Sequence, residues 1–174
     1  MIFYKTRDEF IKALPHNAVV AEIGVFRCEN ALRIIEETSP TELHLVDMWK
    51  NITSKGNYKV NNEWEKFYER AKTLGIVHRM NSVDAAKEFN DGYFDWIYVD
   101  AGHSYESCLA DLEAWFPKVK DGGIIAGHDY SDTEETRKKG FGVKQAVDDF
   151  CKKYNLEIFA LSGCLGQQDY AIKL

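Results

Sequence analysis

The chain has 174 residues, of which 45% are apolar, 13% aromatic and 29% charged, and its net charge is −6. That length suffices for one domain with a buried core, and the composition excludes a disordered or low-complexity chain. An acidic balance without a Lys/Arg cluster argues against binding nucleic acid through phosphates and against a basic membrane-surface helix.

The N-terminus, MIFYKTRDEFIKALP, carries charge from Lys5 onward and holds no signal-peptide core. A short helix is expected at about Arg7–Leu14. No apolar run approaches the roughly 20 residues that cross a bilayer, so the expectation is a soluble cytoplasmic protein. Downstream, short runs rich in β-branched residues alternate with longer stretches of helical periodicity, the pattern of a parallel sheet flanked by helices. The first run is Ala18–Ile23, followed by Gly24 and a helical stretch through Glu37. Leu43–Asp47 follows, then a polar segment (Lys50–Asn62) and a helix from about Asn62 to Leu74. Ile76–Met80 reads as a third strand, with a short helix after Ser82.

Phe94–Asp100 is the strongest strand signal. It leads into a helix with Cys108, Leu109, Leu112 and Trp115 on its apolar side, ending at Pro117. Gly122–Gly127 reads as a fifth strand opened by a glycine turn. Ser131–Gly140, with Arg137, Lys138 and Lys139, reads as a mobile loop rather than a phosphate site, and Val143–Tyr154 as a helix. Glu157–Leu161 and Asp169–Leu174 are joined by a short Gly-containing connection and pair as an antiparallel hairpin. The predicted fold is therefore α/β. It is one Rossmann-like doubly wound domain over residues 1–174, with a mostly parallel sheet of seven strands and a C-terminal antiparallel hairpin. Cys28, Cys108, Cys151 and Cys164 form no CxxC pair, so they read as small buried hydrophobes rather than zinc ligands or a disulfide framework.

Ligands of open α/β sheets bind outside the carboxyl ends of the strands. The residues at those ends are Glu22-Ile23-Gly24, Asp47-Met48-Trp49, Met80-Asn81-Ser82, Asp100-Ala101-Gly102-His103 and Gly127-His128-Asp129. The first turn has one glycine and is no GxGxxG cradle, and no GxxxxGK[ST] exists. Asp47 follows that turn at about the spacing at which an acid meets a ribose, which points to a nucleoside rather than a dinucleotide. Its structural alternative is a cap or a solvated strand-end acid.

AEIGVFRCENA, LHLVDMW, FDWIYVDAGHSYESCLADLEAW and DGGIIAGHDY together resemble a class I S-adenosylmethionine-dependent methyltransferase. The resemblance runs from about residue 18 to the C-terminus and is closest to the metal-dependent O-methyltransferases that modify macrolide sugars. It implies S-adenosylmethionine as cofactor, with Glu22 and Gly24 along its methionine part, Asp47 on the ribose, Met48 against the adenine, Ser82 near the adenine edge, and Asp100 beside them. The family commonly has Gly where this chain has Cys28, and Ser where it has Asn30.

Methyl transfer to a hydroxyl needs alignment and removal of a proton, so a divalent cation or a general base usually assists. Asp100 and Asp129 end neighbouring strands and could share a cation through oxygen. The resemblance implies magnesium held by an acid at Asp100 and an acidic pair at 128–129, with a base at His103. Here the chain has His128 in place of a carboxylate, and imidazole suits zinc, iron or nickel better than magnesium. The metal set is thus Asp100, His128 and Asp129. Either His128 turns away, or the metal differs, or there is none. Packing or capping is the plain alternative for both histidines. Trp49, Tyr58 and Trp64 are read as an acceptor lid or as ordinary packing, and Tyr105 as an acceptor contact or as packing.

The leading expectation is an O-methyltransferase acting on a small hydroxylated acceptor such as a sugar or phenol, with no nucleic-acid or membrane partner. A homodimer is compatible with the sequence. The alternatives are a non-catalytic cofactor-binding or partner module of the same fold and, more remotely, an NAD-dependent oxidoreductase.

Overall fold

The computed structural model describes residues 1–52, 58–59, 62–163 and 168–174, with side chains except at 51, 52, 58, 59 and 62. Its strands are β1 (Ile2–Tyr4), β2 (Val19–Ile23), β3 (Glu42–Asp47), β4 (Asn51–Ile52), β5 (Tyr58–Lys59), β6 (Ile76–Arg79), β7 (Phe94–Val99), β8 (Val119–Gly127), β9 (Ile158–Ser162) and β10 (Asp169–Lys173). The helices are α1 (Arg7–Lys12), α2 (Glu29–Thr38), α3 (Asn62–Ala71), α4 (Ser82–Ala86), α5 (Tyr105–Trp115), α6 (Glu134–Lys138) and α7 (Val143–Tyr154).

Eight strands form one sheet in the order β1-β9-β10-β8-β7-β2-β3-β6, in which β10 runs against both of its neighbours and every other pairing is parallel. From β2 the chain passes to β3 on one side, while β7 fills the other. The crevice beyond the carboxyl ends of β2 and β7 is therefore the topological switch point at which such sheets bind ligands.

Both faces of the sheet are covered, which is why its strands read as near-continuous apolar runs. Side-chain alternation divides them between two cores. Ala21, Ile23, Ile97 and Val99 pack with Leu112, Trp115 and Phe150 from α5 and α7. Val20, Trp96 and Tyr98 pack with Phe10, Ile11 and Ile34 from α1 and α2. Cys28, Cys108 and Cys151 are buried as expected, and burial pushes Cys28 and Cys151 up to about 11 and Cys108 up to about 12. Cys164 lies outside the described residues.

Several boundaries differ from the sequence reading. An eighth strand, β1, adds to the sheet beside β9; three residues with exposed Ile2 and Phe3 give no periodic signal. The first turn delays α2 to Glu29, because Phe26 and Cys28 both take positive φ. Strand β8 begins at Val119 rather than Gly122, with a register irregularity against β7. The polar stretch after Tyr130 is not all loop. Thr133 caps α6 through a reciprocal bond with Thr136, and acids in the first turn and bases in the last turn favour the helix. Among the described residues no helix is long and apolar enough to cross a membrane.

Candidate active site

A cleft of about 790 Å³ opens at the switch point, and Glu22, Gly24, Asp47, Met48, Ser82, Asp100 and His103 all line it. Gly24 sets its floor. The residue has φ +91, and a Cβ there would stand 2.0 Å from the Asp100 carbonyl oxygen. Only glycine lets the ends of β2 and β7 approach so closely.

Glu22 is 1% exposed at the end of β2. Its Oε1 accepts a bond from Asn30 Nδ2 at 3.1 Å, while Glu22 Oε2 and Asn30 Oδ1 are buried without a partner among the described residues. Burial pushes the Glu22 carboxyl well above its usual range, against the Asn30 bond. Unpaired buried polar atoms are costly, so a ligand or water that supplied the missing partner would be favoured there.

Asp47 holds the first turn. Its Oδ2 accepts the backbone N–H of Val25 at 3.0 Å and of Phe26 at 2.8 Å, and its Oδ1 accepts that of Trp49 at 2.7 Å. Trp49 itself is fully buried, donates Nε1–H to the Phe26 carbonyl at 3.1 Å and packs on Tyr68. It is core rather than lid. Trp64 lies on the cleft wall with its ring 5.3 Å from Phe26. Tyr58 and the segment around it lie outside the residues whose side chains are described.

The Ser82 hydroxyl donates to Asp111 Oδ1, an acid that the sequence reading passed over. Asp111 lines the cleft yet is 3% exposed. Burial raises it to about 6, against bonds from Ser82 and the Gly102 N–H. The signal was present in α5, since Asp111 follows Cys108 by three residues and precedes Leu112, on the helix's apolar side.

Asp100 and Asp129 follow the paired strands β7 and β8, and His103 lies between them. His103 Nε2 stands 3.1 Å from Asp129 Oδ2 and 3.5 Å from Asp100 Oδ1. Its ring stacks on Phe141 at 4.5 Å, and its carbonyl accepts the Gly142 N–H at 2.8 Å. Hydrogen bonds to Asp100 and Asp129 raise His103 to about 9, outweighing its burial. Burial opposes ionisation of Asp129, but bonds from His103 and His128 hold it below the usual carboxylate range. At neutral pH His103 is thus an imidazolium, not the free base its ordinary value suggests.

One donor atom from each of Asp100, His103 and Asp129 lies within 4.8 Å of the others. His128, which the sequence reading set beside the two carboxylates, is not a member of that group. Its Nδ1 is 3.4 Å from Asp129 and 3.9 Å from Asp100, and its Nε2 is buried without a partner among the described residues. Asp129 has φ +58; its Oδ2 meets His103 across the loop while its Oδ1 faces His128 Nδ1. Tyr105 does not line the cleft; its hydroxyl donates to Asp149 at 3.1 Å, so it is packing.

A parallel-centred sheet closed by an antiparallel β10, with an acid-lined crevice at the β2/β7 switch point, defines the class I methyltransferase fold. A family model described as a methyltransferase domain matches residues 22–130. The chain belongs to that family. Solved structures agree on the fold. An S-adenosylmethionine-dependent methyltransferase from Aquifex aeolicus superposes with a TM-score of 0.63 at 14% identity, over 96% of this chain and 89% of that one. A candidate caffeoyl-CoA O-methyltransferase from Staphylococcus aureus gives 0.64 at 12% identity, over 96% and 80%. A B. subtilis tRNA methyltransferase gives 0.62 at 12%, over 97% and 65%. No curated protein matches the sequence.

Proposed function

We propose that the chain is an S-adenosylmethionine-dependent O-methyltransferase acting on a hydroxyl of a small molecule such as a sugar or phenol. The observation that carries this reading is the Asp100–His103–Asp129 cluster on the wall of the cleft that Glu22, Gly24 and Asp47 shape. S-adenosylmethionine supplies an electrophilic methyl group on a sulfonium and a neutral thioether leaving group. The donor set suits it. Glu22 and Asn30 offer unpartnered buried acceptor atoms where a cationic amino-acid moiety brings its own charge, and Asp47 stands at the strand end with three backbone N–H groups fixing its orientation.

Two carboxylates and one imidazolium carry a net charge of −1, and such a group takes up the hydroxyl's proton as a unit rather than at one residue. In this reading the acceptor hydroxyl lies against the Asp100 and Asp129 carboxylates, which flank His103 Nε2 at 3.5 and 3.1 Å. The same three donors, once His103 gives up its proton, would hold a divalent cation, which would polarise the acceptor hydroxyl. Net charge −6 and the lack of a basic cluster favour a small acceptor over a nucleic acid.

The test is calorimetry with S-adenosylmethionine, S-adenosylhomocysteine and NAD, followed by transfer of labelled methyl to a panel of sugars and phenols with and without magnesium, manganese or zinc. The two adenosyl ligands should bind and stabilise, by about 2.7 kcal/mol at a hundredfold excess over Kd, and NAD should not. Label on an acceptor oxygen supports the reading. Label on nitrogen, or binding with no transfer to any hydroxyl, overturns it.

A further inference from the structure

Beside the main cleft lies a smaller cavity of about 290 Å³, lined by Arg7, Arg33, His128, Gly163 and Asp169. Arg7 and Arg33 also line the main cleft, so the two spaces share a wall. Arg7 opens α1 and Arg33 sits in α2, two helices that pack on each other.

Both guanidinium groups are held from behind. Arg7 Nε forms an ion pair with Asp169 Oδ1 at 3.0 Å, and Arg33 Nε donates to Asp8 Oδ1 at 2.5 Å. Asp169 is itself fixed: it is 1% exposed and accepts the Tyr98 hydroxyl at 2.5 Å and the Ser162 hydroxyl. Among the described residues, neither arginine makes a hydrogen bond through its terminal Nη groups. The positive charge of Arg7 acts on Asp100 and Asp129, so it stands near the proposed proton-accepting cluster.

Arg7 and Arg33 line one cavity, each tied through Nε to a carboxylate that offsets its charge, so what they offer a ligand is the directed N–H donors of their Nη groups. Planar guanidinium groups bind carboxylate and phosphate bidentately, and gain far less from a neutral polyol. We propose that Arg7 and Arg33 form an anion subsite, so that the acceptor is a hydroxylated small molecule carrying a carboxylate or phosphate. The substrate class rests on the O-methyltransferase reading; the subsite itself does not.

Equilibrium binding to protein saturated with S-adenosylhomocysteine tests it, using glycerol, glycerate and glycerol 3-phosphate as probes. One of the two anions should bind at least roughly tenfold more tightly than glycerol. Which of them does so separates a carboxylate from a phosphate site. Arg33→Gln should remove most of that preference while weakening S-adenosylhomocysteine less than it weakens the anion; Arg33 is half-buried and Asp8 exposed, and a thermal melt of the variant checks the fold. Arg7→Lys keeps a cation beside Asp169 but loses the fork, and should show the same loss. Equal affinity for the three probes, or no binding of either anion, overturns the proposal. So does an Arg33→Gln variant that binds S-adenosylhomocysteine more weakly while its probe affinities are unchanged, because the arginines would then serve the cofactor's own carboxylate. These readouts are independent of turnover: anion binding without methyl transfer would sink the proposed reaction and leave the subsite standing.

Discussion

Phe26 donates its backbone N–H to Asp47 Oδ2 at 2.8 Å, so the acid that ends β3 closes the turn that follows β2. The Val25 and Trp49 N–H groups occupy two more of the carboxylate's roughly four acceptor positions. Asp47 is therefore a brace for the cofactor turn as well as a candidate for a ribose hydroxyl. Asp47→Ala should weaken S-adenosylhomocysteine by about 1.5–3 kcal/mol, the worth of charge-assisted hydrogen bonds. Unchanged affinity by calorimetry would remove Asp47 from the cofactor site.

Gly24→Ala should be more damaging than any substitution of a polar lining residue. A methyl at φ +91 is strained by about 1–3 kcal/mol before any contact is counted. It would also meet the Asp100 carbonyl and the Ala101 Cα, which are backbone and cannot swing aside. Strands β2 and β7 would have to part at the switch point. The expected result is loss of cofactor binding with a lowered melting temperature; a variant that binds normally would show that the crevice is wider than the backbone distances state.

The sheet was legible because Val19–Ile23, Leu43–Asp47 and Phe94–Val99 are dense in β-branched and aromatic residues and are buried on both faces. The strand-end acids were legible too, since topology alone carries Glu22, Asp47, Asp100 and Asp129 to one edge. What escaped depends on partners far along the chain. Arg7 reaches the cleft through Asp169, and Arg33 through Asp8; neither pairing leaves a local pattern. Likewise the grouping of His103 with Asp100 and Asp129 depends on where the loop after β7 places the ring, which no spacing rule reports.

Asp111 gives a pH signature. Its folded value is raised to about 6 from 3.8, mainly by burial, so the folded state holds a proton that the unfolded state has released between those values. Stability must then fall as pH rises through that window, by up to about 3 kcal/mol, and level off above it. Asp111→Asn carries no such charge and keeps an acceptor for Ser82. Urea unfolding of both proteins between about pH 4 and pH 7 should show a steeper decline in the parent than in the variant, in which buried Glu22 still titrates. Parallel curves would mean that water reaches the carboxyl.

Cation binding, where it occurs, should need both strand-end carboxylates. Without a cation the imidazolium of His103 keeps the charges of Asp100 and Asp129 apart, so the pair is stable as it stands. Titrating manganese or zinc into the parent and into Asp129→Asn should show a loss of at least roughly tenfold in the variant. Equal affinity would place the cation elsewhere.

His103 is the residue on which the chemistry turns. Its side chain meets both carboxylates, while its carbonyl separately receives the Gly142 N–H, so His103→Ala removes the imidazole and leaves the loop's backbone tie in place. Turnover on a true acceptor should fall by about 10²–10⁴-fold, with affinity for S-adenosylhomocysteine nearly unchanged. The Phe141 ring loses its stacking partner at 4.5 Å, so a thermal melt must accompany the kinetics. A variant that loses cofactor affinity in step with turnover would make His103 a structural residue. One that retains full turnover would leave proton uptake to the Asp100 and Asp129 carboxylates alone, with no need of the imidazolium between them.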